Sequence, residues 1–182
     1  YVNHPWLKSD EAEAAYNEML STITNGTVKA FSPIRGVEDR TLFRLLTQFR
    51  DDIHYCHSCN IKKPWCFACP KCMFVWLQYL SVFPKEVVQS IFGSTNYINS
   101  YPELFRALLG MTSKNAFECV GDPESARFAL CDCLTNQAFT PTALPPDIRT
   151  FIMTSTVCEQ QQTVTEQPRS TAATVRTRPR RD

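Results

Sequence analysis

Ser58-Cys59-Asn60-Ile61-Lys62-Lys63-Pro64-Trp65-Cys66-Phe67-Ala68-Cys69-Pro70-Lys71-Cys72 is the stretch on which the fold turns. It puts four cysteines into fourteen residues and runs straight into the apolar segment 73–83. Cys66-x-x-Cys69-x-x-Cys72 sets three thiols on one tight loop, and Cys59 is spaced to return as a fourth ligand. Pro64 and Pro70 shape the turns between them. A tetrahedral zinc ion takes such a set at about 2.3 Å per bond, and four thiolates leave no open position for water. The expected site is therefore structural, and zinc is the expected metal.

Other uses of these thiols give a poorer fit. Cysteines two residues apart pair badly as disulfides and well as ligands. An iron–sulfur cluster is the main rival, because C-x-x-C-x-x-C also begins ferredoxin-type runs. Trp76 stands where such a run needs its fourth cysteine. Cys56 lies at C-x-x-C spacing from Cys59, so spacing leaves open which of the two completes the set. His54 and His57 read as polar loop histidines. Cys131 and Cys133 read as buried small hydrophobes within a helix, while Cys158 lies at the edge of the tail.

Length and a 43% apolar content suit one domain with a sizeable core over residues 1–158. No stretch approaches eighteen uninterrupted apolar residues, so no membrane span is expected. No secretory leader is visible, although the chain starts at Tyr1, and the expected place is cytoplasmic, or organellar in a plastid-bearing eukaryote. Residues 159–182 hold five arginines and three acids with almost nothing to bury, a composition expected to stay disordered. Outside that tail fourteen basic residues face fifteen acidic ones, which speaks against a nucleic-acid partner.

Punctuation and periodicity divide the rest. Residues 9–23 read as a helix, with Asp10 and Glu13 at its start and Ala12, Ala15, Tyr16, Met19, Leu20 and Ile23 at helical spacing. Asn25-Gly26 turns the chain into a short strand, Thr27–Ser32, stopped by Pro33. A helix over 38–50 presents Leu42, Leu45, Leu46 and Phe49 as its buried stripe. Beyond the cysteine loop (56–72) come helices at 73–83, 85–92 and 102–109. Another starts at Asp122-Pro123, and the last lies near 146–153. Glu124 and Arg127 read as a surface ion pair. One strand cannot satisfy its own edges, so the sheet it needs is expected upstream, in a missing N-terminal part.

Four strings carry a resemblance. They are Val2-Asn3-His4-Pro5-Trp6-Leu7-Lys8-Ser9 with Glu11 and Glu13, then Ser32-Pro33-Ile34-Arg35, the cysteine string, and Phe117-Glu118-Cys119-Val120-Gly121. In order and content, over about residues 2–130, they resemble the C-terminal half of PP-loop ATP-pyrophosphatases. Within that group they are most similar to the ATP-dependent epimerases of peptidoglycan synthesis that act on UDP-N-acetylmuramoyl-L-alanyl-L-glutamate. The resemblance implies an α/β fold of the adenine nucleotide alpha hydrolase-like kind, of which this chain is the mostly helical C-terminal part. The group's glycine-rich nucleotide loop, where backbone N–H groups hold the ATP phosphates, would lie upstream. The fragment alone is expected to be inactive.

The resemblance also implies the chemistry. A proton alpha to a carboxylate is hard to remove because the product is a dianion. Adenylation with ATP and magnesium makes that proton far more acidic, and a base and an acid then exchange it across the two faces. Glu118 and Cys119 are the candidates for that exchange, since a thiol near a helix start can be lowered in pKa. His4, Lys8 and Arg35 are the candidates for gripping phosphate or carboxylate groups. The implied partners are the UDP-sugar dipeptide and the upstream half of the same enzyme.

Overall fold

The computed structural model describes residues 9–34, 36–112, 120–155 and 158. Ser9 caps the first helix, α1 (Asp10–Thr24), its side chain accepting from the Ala12 N–H at 3.2 Å. The cap is thus one residue earlier than Asp10, which instead joins Glu11 and Glu13 in an acidic first turn that complements the helix dipole. Asn25 closes α1 in the left-handed region at φ 51°.

Thr27–Ser32 has no strand partner, and the described residues contain no β-strand at all. The segment runs back along α1 and is held by side chains. The Asn17 amide donates to the Ala30 carbonyl at 2.8 Å and accepts from the Ala30 N–H at 2.9 Å. The Glu13 carboxylate accepts from the Ser32 N–H at 2.9 Å. An Asn side chain carries the same donor and acceptor as a peptide group, so here it takes the place of a neighbouring strand.

The helix expected over 38–50 is shorter and faces differently. α2 spans Asp39–Leu46, and the chain then tightens into 3-10 turns, Thr47–Tyr55, with a break at Phe49. Phe43 takes the inward face, edge-on to Phe74 and Tyr79 at 6.2 and 5.8 Å, with Leu46 beside it. Leu45 and Phe49 are exposed. The larger ring claims the core side of α2, and three residues per turn carry Phe49 out of the 3.6-residue register. Ile53, fully buried, takes up the inward position instead.

The centre of the molecule is α3 (Pro70–Val82), which begins inside the cysteine string rather than at Met73. Cys72 through Leu80, nine consecutive residues, are all buried, so α3 is covered all round, as a helix apolar on every side must be. α7 (Pro123–Thr135), α2, α4 (Lys85–Phe92) and α6 (Pro102–Leu108) surround it. Its one buried polar side chain, Gln78, donates to the Ser125 carbonyl of α7 at 3.1 Å, and Asn136 donates to the Leu80 carbonyl at 3.0 Å. Asp122 caps α7, accepting from the Ser125 N–H at 2.7 Å. A one-turn helix, α5 (Tyr97–Ser100), and the last helix, α8 (Pro146–Met153), complete the body. No helix among the described residues is long and apolar enough to cross a membrane.

Two readings on α7 change. Cys131 is not a free small hydrophobe: it is disulfide-bonded to Cys158, with Cα atoms 5.6 Å apart. Cys133 is buried as expected, its thiol held well above the ordinary range by desolvation. Arg127 does not pair with Glu124. It donates to the Leu109 carbonyl at 3.3 Å and lies over the Phe151 ring at 6.0 Å. Inside the bundle a carbonyl and an aromatic face are within reach, whereas Glu124 is exposed in the first turn.

Candidate metal centre

The sulfurs of Cys59, Cys66, Cys69 and Cys72 all lie within 4.8 Å of one another. Cys69 and Cys72 are 3.5 Å apart, Cys66 and Cys72 3.8 Å, and Cys59 and Cys69 4.0 Å. Three of the four residues are buried and Cys66 is half-buried. Cys56, exposed, stands outside the group, so the fold brings Cys59 to the set and not Cys56. His54 turns to the Ser90 hydroxyl at 3.0 Å, and His57 packs edge-on to Trp65, so neither histidine joins.

Local structure makes this corner. Lys63–Pro64 is a cis peptide, and Phe67 sits at φ 59°, reversing the chain between Cys66 and Cys69. A bulky residue there needs outside support. Its ring supplies it by packing on Phe92 at the end of α4, 6.0 Å away, with Trp65 on the same ring at 5.0 Å. Cys69 is also the N-cap of α3, its sulfur accepting from the Cys72 N–H at 3.4 Å. The first free N–H groups of the central helix therefore point into the cysteine corner.

Electrostatics separate the thiols. Burial pushes Cys59 up, but the N–H groups of Lys62, Ile61 and Cys66 outweigh it and bring the thiol down to about 6. The Lys62 N–H is 3.5 Å from that sulfur. Burial raises Cys69 and Cys72. Burial thus favours the neutral thiol at Cys69 and Cys72, and a cation among the four sulfurs would favour the thiolate.

Sequence reasoning missed two neighbours. The Tyr97 hydroxyl is buried with no hydrogen-bond partner among the described residues, and it is raised by burial and then by Cys72, Cys66 and Cys69. The buried Ser58 hydroxyl, next to Cys59 in the chain, also lacks a partner among the described residues. The spacing of Tyr97 from the cysteines carries no signal of this.

His4, Lys8, Arg35, Glu118 and Cys119 lie outside the described residues. Gly121, which ends the Phe117–Gly121 string, is described. A Cβ there would collide with the Phe74 ring and lie 2.8 Å from Asp39 Oδ2. Glycine is needed where the chain enters α7 between α2 and α3.

A helical body around one buried helix, with a four-cysteine corner at that helix's start, is the architecture with which comparison must agree. The chain belongs to the MurL C-terminal domain family, whose model matches residues 52–165. A UDP-N-acetyl-alpha-D-muramoyl-L-alanyl-L-glutamate epimerase of a Micromonospora species is 33% identical over 138 residues, covering 71% of this chain and 31% of that protein. The same-named epimerase of Salinispora tropica is 30% identical over 138 residues, 71% of this chain and 30% of that one. That of Xanthomonas oryzae pv. oryzae is 30% identical over 141 residues, 71% of this chain and 31% of that one. The chain thus spans about three-tenths of the length of the curated relatives it matches. No solved structure matches it.

Proposed function

We propose that this chain is the zinc-braced C-terminal part of an ATP-dependent epimerase that converts the terminal L-glutamate of UDP-N-acetylmuramoyl-L-alanyl-L-glutamate to D-glutamate. The observation that carries this is the family match over residues 52–165, with three relatives all named for that activity. In this reading the missing sheet and nucleotide loop belong to a PP-loop fold built upstream, and the chain alone does not turn over.

Zinc is the metal that suits the corner. Bonds of about 2.3 Å to a tetrahedral ion put sulfurs roughly 3.8 Å apart, within the range that these cysteines span. An iron–sulfur cluster, with several irons at its centre, would spread the four thiolates wider. Cys59, Cys66, Cys69 and Cys72 hold the ion, which braces α3 and leaves no position for substrate.

With ATP and magnesium bound, the carboxylate of the terminal glutamate would be adenylated with release of pyrophosphate, which makes its alpha proton more acidic, and water would afterwards cleave the adenylate to AMP and the free carboxylate. Cys119 and Glu118 exchange that proton, taking it from one face and returning it to the other. His4, Lys8 and Arg35 hold anionic groups of nucleotide or substrate. A cleft of about 380 Å³ between α4, α5 and residues 137–143 is lined by Trp76, Lys85, Gln89, Asn96 and Phe139. Aromatic and amide groups of that kind suit a sugar.

A chimera tests the reading: residues 1–182 replace the matching part of the Xanthomonas epimerase, and D-glutamate release from the product peptide is measured. Turnover that falls with Cys119→Ser and Glu118→Gln supports the proposal. A folded chimera that binds ATP and leaves the dipeptide unchanged overturns it.

A further inference from the structure

α1 buries one residue, Ala12, and leaves Tyr16, Met19 and Ile23 49%, 49% and 71% exposed. These three share one side of the helix. Beside them Val28, Phe31 and Ile34 are also exposed, at 49%, 75% and 53%. A groove of about 500 Å³ between the two segments is lined by Ala12, Ala15, Tyr16, Met19, Ala30 and Phe31.

The backbone beside this groove is an irregular segment tied to α1 along one edge only. The Val28 N–H reaches Thr24 Oγ1 at 3.3 Å, and the Ser32 N–H reaches Glu13 at 2.9 Å. Thr24 and Glu13 are about 16 Å apart along the helix at 1.5 Å per residue. The Thr24 and Glu13 side chains reach toward the segment, and the bonds to α1 fall on every second residue, the alternation of an extended chain. In an extended chain, backbone groups of successive residues point to opposite edges. Val28, Ala30 and Ser32 face α1, and all three are bonded to it. Lys29 and Phe31 face the other way and make no backbone hydrogen bond among the described residues.

We infer that this edge and the exposed side of α1 form one docking surface, and that its occupant is a β-strand with apolar neighbours from the upstream part of the longer enzyme. Three facts favour that occupant. The surface lies before residue 52, where the C-terminal domain match begins. The curated relatives are about three times longer than the part they share with this chain. Residues 159–182 contain no aromatic, leucine or isoleucine that could fill the groove. An open edge flanked by Phe31 and Val28 is a template for one further strand. The inference rests on the reading that this chain works as part of a longer enzyme.

Hydrogen exchange tests it, comparing the 182-residue chain alone with the chimera on the Xanthomonas epimerase. The Lys29 and Phe31 amides should exchange freely in the chain and slow by at least about tenfold in the chimera. Phe31→Asp and Met19→Asp should remove that protection, and Met153→Asp, exposed on α8, should not. Three results would each overturn it. The amides could stay fast in a chimera whose α3 is protected. They could already be slow in the chain alone, which assigns the groove to residues 1–8. They could slow as the chain is concentrated, which assigns it to a second copy. If the chimera does not fold, exchange in the intact Xanthomonas epimerase decides, and an unprotected segment just ahead of its C-terminal domain would also sink the idea. Protection without turnover would count against the proposed activity and leave the docking surface standing.

Discussion

Arg40 and Asp132, 92 positions apart, meet in a two-point ion pair: Nε to Oδ2 at 3.0 Å and Nη2 to Oδ1 at 2.9 Å. Both side chains are less than a fifth exposed, and the guanidinium also lies over the Phe128 ring at 5.3 Å. The pair fixes α2 against α7, on either side of the helix that both cover. A planar fork matched to a carboxylate gives direction as well as attraction, which Lys cannot supply.

Breaking that pair should therefore be felt. Asp132→Ala and Arg40→Ala should each lower unfolding free energy by about 1–3 kcal/mol, the second less because Asp132 keeps Arg44 at 3.8 Å. Arg40→Lys should recover only part of the loss. Urea denaturation of the single and double variants gives the coupling; additive losses would show that the two residues act independently.

Removing one cysteine of the corner should release the ion and loosen α3. Under the proposed zinc site, Cys69→Ser deletes a ligand and alters the cap of the helix at once, so both zinc content and melting temperature should fall. Cys56→Ser should change neither. Elemental analysis with thermal melts checks this, and a Cys69→Ser protein with full zinc would reject the ligand set. Because thiols must lose their protons to bind a metal, acid should also release it.

Gly121→Ala should destabilise by about 1–3 kcal/mol through overpacking against Phe74 and Asp39. The pairing Gly121→Ala with Phe74→Leu should restore part of it, because the smaller side chain leaves room for the methyl group. Chemical denaturation of the single and double variants measures both.

Cys158→Ser should lower stability by up to about 3–4 kcal/mol under oxidising conditions, the entropic value for a loop closed over 27 residues. Under strong reductant the variant and the parent should match. Alkylation of the unreduced, unfolded protein followed by mass spectrometry should leave Cys131 and Cys158 unlabelled.

Asp147 on α8 is held below its usual range chiefly by the hydrogen bond from Arg106, whose Nε lies 2.6 Å away. A depressed carboxylate contributes stability above its unfolded pKa and loses it as pH falls through the folded one. Asp147→Asn should thus lower stability at neutral pH and change little in strong acid, so the acid side of the stability profile flattens. Side-chain carboxyl shifts followed by NMR give the folded value directly.

Elements bounded by local chemistry were legible in the sequence. Asp122-Pro123 started α7, Pro84 and Gly93 bracketed α4, Gly110 followed α6, and four cysteines in fourteen residues announced one corner. Features decided at a distance were not. Leu45 and Phe43 have equal claims on the core by hydrophobicity, and only the rings of α3 favour Phe43. Arg127 has Glu124 within helical reach but finds Leu109 and Phe151 through folding. Cys131 carries no mark of Cys158, 27 residues away. Thr27–Ser32 has the composition of a strand and the extension of one, but a ladder needs a second chain segment.

One consequence of Cys69 capping α3 concerns the order of assembly. The corner's four cysteines are near neighbours in sequence, whereas α3 meets α7 through contacts such as Gln78 with Ser125, 47 residues apart. Closing the short loop loses less chain entropy than closing the long one. The end of α3 that carries Cys69 can therefore be set early, giving the later helices a fixed post to gather around.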